Sequence, residues 1–182
     1  MSIAVPIEPP EGSLLLQLRR SGSYADCYTI QLPIAVTQAE YVEAFYTTPL
    51  FKAERFILHL LARKPSSDQD AKDLALGKKD SFAMWRVAER SPEQLLLTDL
   101  TGRTSSWLMA VPERTSTATT ATTATTATRL FFGSAVTART NTRTGKQELG
   151  SAFHALLGLH KLYSRHLLQA AGARLLAAPP AL

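Results

Sequence analysis

Hydrophobic positions change period several times along the chain, and each change marks a boundary between elements. Residues 24–32 alternate. Tyr24, Tyr28, Ile30 and Leu32 fall on one side, Cys27 and Thr29 on the other, and Pro33 ends the run, which predicts a strand. From Thr37 the period is helical. Thr37 and Glu40 have the spacing of a capping box, and Val42, Phe45, Tyr46, Leu50, Ala53, Phe56, Ile57, Leu60 and Leu61 keep one apolar stripe. Pro49 interrupts it. Proline has no N–H to give and disfavours helical geometry at Thr48, so two helices or one sharp kink are expected. Ser67 or Asp68 then caps a short helix with Leu74 and Leu76 as its apolar contacts, ended by Gly77.

Alternation returns after Asp80. Residues 82–89, 94–100, 103–111 and 129–137 read as strands, and Gly133 marks a bend or bulge in the last. Ser91-Pro92-Glu93 and Thr101-Gly102 supply turn chemistry, and such short links make neighbouring strands antiparallel. Before the last strand, TATTATTATTAT from Thr117 repeats every three residues without a large apolar group. That period fits neither a strand face nor a helix face, so residues 115–128 are expected as a disordered hairpin insertion. The final stretch, residues 146–176, lacks proline and places Leu149, Phe153, Leu156, His160, Tyr163 and Leu167 at helical spacing. Such a helix is roughly 45 Å long. The proline-rich residues 1–12 read as a flexible arm and 179–182 as a tail. Together these elements predict one α+β domain over residues 13–178. A curved antiparallel sheet packs on a long C-terminal helix, with a kinked helix pair after the first strand.

At 182 residues and 45% hydrophobic, the chain is long enough for a real core. The net charge of +5 is spread in short pairs such as Arg19-Arg20 and Lys78-Lys79, without the clustering a nucleic-acid binder uses. A lone cysteine, Cys27, excludes an intramolecular disulfide and fits a reducing cytoplasm. No apolar run approaches the ~20 residues of a membrane span.

Motif chemistry is sparse. His154, His160 and His166 are spaced by six, which turns successive side chains far apart around a helix, so they do not share a metal ion. No metal ligands, cofactor or catalytic residues are assigned. His160 lies on the apolar stripe with Tyr163, and Ser164 follows one turn later, but no acidic residue on that face completes a triad. A core histidine is the expectation. Gly145-Lys146 lacks the first glycine and the Ser/Thr of a phosphate loop. The strands offer more: Trp107, Met109 and Val111 share one face, and Leu130, Phe132, Ser134 and Val136 share a face of the next strand. Arg103, Trp107, Met109, Phe132, His160 and Tyr163 form the candidate ligand pocket, an aromatic-lined interior with a few polar anchors.

YADCYTIQLP, AFYTTPLFKAERFILHLL, KKDSFAMWRVAERSPEQLLLTDLTGRTSSWLM, TRLFFGSAV and AFHALLGLHKLYSRHLL, spanning about residues 24–175, resemble a family of uncharacterised bacterial proteins, the DUF2867 type. The order of elements is also similar to the helix-grip fold of the START-like, polyketide-cyclase-like (SRPBCC) superfamily. There a curved sheet holds a C-terminal helix around an apolar cavity. This chain shows five clear strands where six or seven are usual, with residues 14–18 as a weak sixth. The likeness implies an apolar ligand, such as a lipid, steroid or polyketide.

Three functions follow as expectations. The first is a non-catalytic binding module for an apolar or amphipathic small molecule between sheet and C-terminal helix. The second is an enzyme of cyclase or hydrolase type using His160 or Asp99 as acid or base. The third is a solid-core interaction protein, a homodimer through Leu96, Leu100, Leu108 and Phe131. An interior volume of roughly 300 Å³ or more separates the first two from the third.

Overall fold

A computed structural model describes residues 3–53, 66–115, 125–137, 139–140, 147–148 and 151–178. It shows the α+β architecture expected: a curved, unclosed antiparallel sheet of seven strands with a long C-terminal helix. The strands are β1 (Val5–Pro6), β2 (Tyr24–Leu32), β3 (Ser81–Phe82), β4 (Trp85–Arg90), β5 (Gln94–Asp99), β6 (Thr104–Thr115) and β7 (Thr125–Val136). Their order across the sheet is β1-β2-β7-β6-β5-β4-β3. A separate two-stranded ribbon pairs β8 (Arg139–Thr140) with β9 (Gln147–Glu148). The helices are α1 (Leu14–Arg20), α2 (Gln38–Tyr46), α3 (described over residues 49–53), α4 (Asp68–Ala75) and α5 (Ser151–Ala177).

Local signals account for the helix starts. Thr37 accepts from the Glu40 amide and the Glu40 carboxylate accepts in return, completing the capping box of α2. Ser67 and Asp70 do the same for α4, and Gly77 follows it at φ +71°. Pro49 divides α2 from α3: Thr48 turns inward, and its hydroxyl accepts from the Phe51 amide as the cap of α3. Proline at the first helical position has no N–H that needs a partner. The rest of the predicted stripe, including Phe56, lies outside the described residues.

The sheet is buried on both faces. Tyr28, Ile30, Leu32, Leu95, Leu97, Leu108, Leu130 and Phe132 face the larger core under α2, α4 and α5. Aromatic rings fill it. Phe45 meets Phe132 at 4.7 Å and Tyr46 at 5.2 Å, and Phe82 lies 5.3 Å from Tyr46. The opposite face holds Cys27, Leu96, Trp107 and Phe131 beneath Leu14 and Leu15 of α1.

Several expectations change. Residues 14–18 are helical, not a strand, because Ser13 caps the turn and Leu14, Leu15 and Leu18 form a helical contact face. The second sheet face is therefore covered from within the chain, and Leu108 belongs to the larger core. Residues 82–89 do not form one strand. Phe82 pairs with Trp85 across a two-residue turn in which Ala83 has φ 53°, and the bulge of this region lies between Val87 and Glu89. Leu76 is 51% exposed rather than a core contact. The last helix starts at Ser151, and residues 147–148 pair in the ribbon instead. The arm is bound at Val5 and Pro6, which pair with Thr29 and Tyr28. The threonine repeat ends inside β7: Ala127 and Thr128 are buried and paired with Glu113 and Pro112. Residues 116–124 lie outside the described residues.

Gly133 is not at a bulge, since its register with Cys27 and Trp107 is regular. It is needed for close approach. A Cβ there would lie 2.2 Å from a methyl of Leu15 and 2.8 Å from the carbonyl oxygen of Asp26. At Gly172 of α5 a Cβ would meet Ile30 Cδ1 at 2.5 Å, the free end of a side chain. We expect Gly133→Ala to destabilise by about 2–3 kcal/mol, because backbone and α1 must both shift. Gly172→Ala should change stability by less than about 1 kcal/mol, since alanine also favours the helix. Chemical denaturation reads both; equal effects would contradict the close packing of α1.

Candidate functional site

The six pocket candidates do not converge. Trp107 is fully buried on the α1 face, where its indole N–H donates to Gln94 Oε1 at 2.9 Å, and Met109 packs beside it. The same Gln94 oxygen accepts from the Leu14 amide at 3.0 Å, satisfying a first-turn N–H of α1. Phe132 faces the other way, against Phe45, and Tyr163 packs on the larger core from α5. Arg103 is exposed in the β5–β6 turn. Trp107 pairs with Gly133 and Leu108 with Phe132, so the two rows read as one lining are on opposite faces.

His160 does find chemistry, although from the sheet rather than from its own helix. Its Nε2 lies 2.7 Å from Ser134 Oγ of β7, and Ser134 donates to Asp26 Oδ1 of β2 at 2.6 Å. The Asp26 side chain is 8% exposed and also accepts from Tyr28 Oη and the Ser134 amide, each at 3.3 Å. Asp26 Oδ2 is 3.9 Å from the imidazole. Arg165 lies 5.4 Å above the Tyr28 ring. Parity within residues 24–32 puts Asp26 on the face of Tyr28, and parity within residues 129–137 puts Ser134 on that of Phe132. Those were the available signals.

This order is not that of a hydrolytic triad. There the imidazole stands between acid and hydroxyl, and takes the hydroxyl proton. Here the hydroxyl stands in the middle and gives its proton to the carboxylate, so it accepts from an Nε2–H. Ser134 is also buried, closed to a substrate carbonyl. Ser164, the other hydroxyl considered with His160, is buried with no partner for Oγ among the described residues. The cluster fastens α5 to the two strands beneath it. Burial, then the nearby Asp26 charge, pushes the Tyr28 phenol well above its ordinary value, so it stays a donor at neutral pH.

Asp99 is likewise structural. Its carboxylate accepts from the amides of Thr101 and Arg103 and from the Thr101 hydroxyl, closing the β5–β6 turn. His166 is exposed and bonds the Leu162 carbonyl, as a surface histidine. The described residues contain no group of side chains suited to a metal ion.

Open space lies elsewhere. A groove of about 1200 Å³ runs along the end of α5, bounded by residues 34–38, the first turns of α2, the β4–β5 turn and strands β6 and β7. Its apolar surface comes from Ile34, Val36, Ala44, Ala110, Pro112 and Leu175. Thr128, last residue of the repeat, holds its wall. The Thr128 hydroxyl donates to the Ile34 carbonyl and accepts from the Val36 amide, both at 2.9 Å. Sequence patterning missed this groove because its walls come from turns and helix ends, which carry no periodic signal.

No family model, curated protein or solved structure matches the chain. Among the described residues no helix is long and apolar enough to cross a membrane.

Asp26→Ala should remove an acceptor shared by three donors and lower stability by about 2–4 kcal/mol. His160→Leu, which spares the Ser134–Asp26 bond, should cost less than about 1 kcal/mol. Urea titration of both variants checks this; a larger loss at His160 would contradict the bonding order. Acid unfolding tests Asp99. Burial raises its pKa, but the backbone and hydroxyl donors outweigh burial and hold it below the ordinary carboxylate value. Its contribution is therefore complete above the unfolded pKa and lost as pH falls through the folded one. Asp99→Asn should flatten the acid limb of stability against pH, and an unchanged limb would contradict it.

Proposed function

We propose that the protein is a non-catalytic binding module for an apolar or amphipathic small molecule, held between the sheet and the end of the C-terminal helix. The observation that carries this is the groove, whose volume of about 1200 Å³ is ample for a small ligand. Its apolar walls offer burial to a hydrocarbon or ring system, and the surrounding hydroxyl, amide and charged groups offer orientation. The likeness to the helix-grip fold supports the same class of ligand by analogy. The cyclase or hydrolase alternative draws less support, because Asp99 and the Asp26–Ser134–His160 cluster are spent on turn closure and helix attachment.

The neutral apolar fluorophore N-phenyl-1-naphthylamine provides the test. Wild-type protein should enhance its emission saturably. Ala35→Trp, at an exposed position on the groove wall, should weaken binding about tenfold while the melting temperature stays within about 2 °C. No saturable binding, or equal binding by the variant, would overturn the assignment.

A further inference from the structure

We infer that the groove selects amphiphiles with a protonated amine head over neutral or anionic ones; this rests on the binding reading above and adds the ligand's charge to it. The whole chain carries +5, yet the groove is lined by three carboxylates, Glu40, Glu43 and Glu93, against one guanidinium, Arg174. Local sign therefore opposes global sign, and the local field dominates for a group inside the groove because salt screens out charges beyond roughly 8–10 Å under physiological conditions.

The carboxylates are not equivalent. Glu40 is committed to the start of α2, accepting from the amide and hydroxyl of Thr37 at 2.8 and 2.7 Å. Glu43, one turn further, is half-buried, and Glu93 stands in the β4–β5 turn on the other side of the groove. Neither has a side-chain hydrogen bond or ion pair to a described residue. A carboxylate that gives up water on one side without gaining a donor is a receptor for one.

α2 starts in the same wall, where Glu40 offsets the positive end of its dipole, and two further groups are negative. α5 ends at Ala177, next to the lining residues Leu175, Leu176 and Ala178, so the negative end of its helix dipole lies at the groove. Arg174 sits within its last turn, where its charge complements that end. Beneath the surface, Gln38 Oε1 is buried with no donor among the described residues, while its Nε2 donates to the Leu108 carbonyl at 3.1 Å. Its oxygen dipole adds to the negative potential without contacting a ligand. A primary ammonium brings three N–H donors and a positive charge, and stays protonated at neutral pH. Its apolar body would cover Ala44, Ala110 and Leu175.

Calorimetric titration with three twelve-carbon probes below their micellar concentrations tests this: dodecylammonium, dodecyl maltoside and dodecanoate. Dodecylammonium should bind about tenfold tighter than the maltoside, with the advantage shrinking as salt is raised. The double variant Glu43→Gln, Glu93→Gln should lose that advantage, with the ratio of ammonium to maltoside affinity falling towards one. Equal or tighter binding of maltoside or dodecanoate, or an unaltered preference in the double variant, overturns the selectivity and leaves the groove as a binding site. Absence of binding by all three overturns both readings. Ala35→Trp separates groove binding from adsorption elsewhere, because it should weaken every probe that enters the groove.

Discussion

Everything in this fold depends on the register of β7. It pairs over its full length with β6 and over nine residues with β2, so it is the strand most completely enclosed. Even-numbered residues from Leu130 to Ser134 look toward α2 and α5, and odd-numbered ones from Phe131 to Ala135 look toward α1. A slip of one residue would exchange the two sets. Gly133 fixes the register from the α1 side, since only a residue without a Cβ fits beneath Leu15 and Trp107. Ser134 fixes it from the other, through Asp26 and His160.

That register divides the molecule into regions with different work. Where the aromatic rings of α2 and α3 meet Phe132 and Phe82, the interior is filled. At one end of β7, around Ser134, polar groups satisfy one another and attach α5. Near its other end, around Thr128, the chain leaves β2, turns at Pro33 and starts α2, and a groove stays open between that turn, the start of α2 and the end of α5. The groove is the space left there. Its wall is held by one threonine hydroxyl serving as donor and acceptor at once. The repeat that looked like pure insertion thus contributes its last residue to the groove.

Features written in neighbouring residues were legible in the sequence. The capping box at Thr37, a cap at Ser67 or Asp68, the break at Pro49 and the end at Gly77 are local chemistry; the structure contains the box, the break and the end, and takes Ser67 as the cap. The α+β class followed from the order of periods. Face assignment was harder. With both sheet faces buried, Trp107 and Leu108 are equally apolar, and alternation loses its contrast. The leucines of α1 fit a short strand as well as a helix until Ser13 is taken as a cap. The turn at Ala83 has no glycine to announce it. Asp26, Ser134 and His160 are separated by 108 and 26 residues, so only the fold brings them together. The groove was least legible, being shaped by where elements stop.

The central claim is that ligand chemistry belongs to the open end of the sheet and not to the polar cluster around His160. Amide chemical-shift mapping during titration with dodecylammonium tests it directly. Shifts should concentrate at residues 34–44, Glu93, Ala110 and residues 174–178, which line or adjoin the groove, and leave Asp26, Ser134 and His160 in place. Shifts centred on Asp26, Ser134 and His160, with the groove residues unmoved, would contradict it.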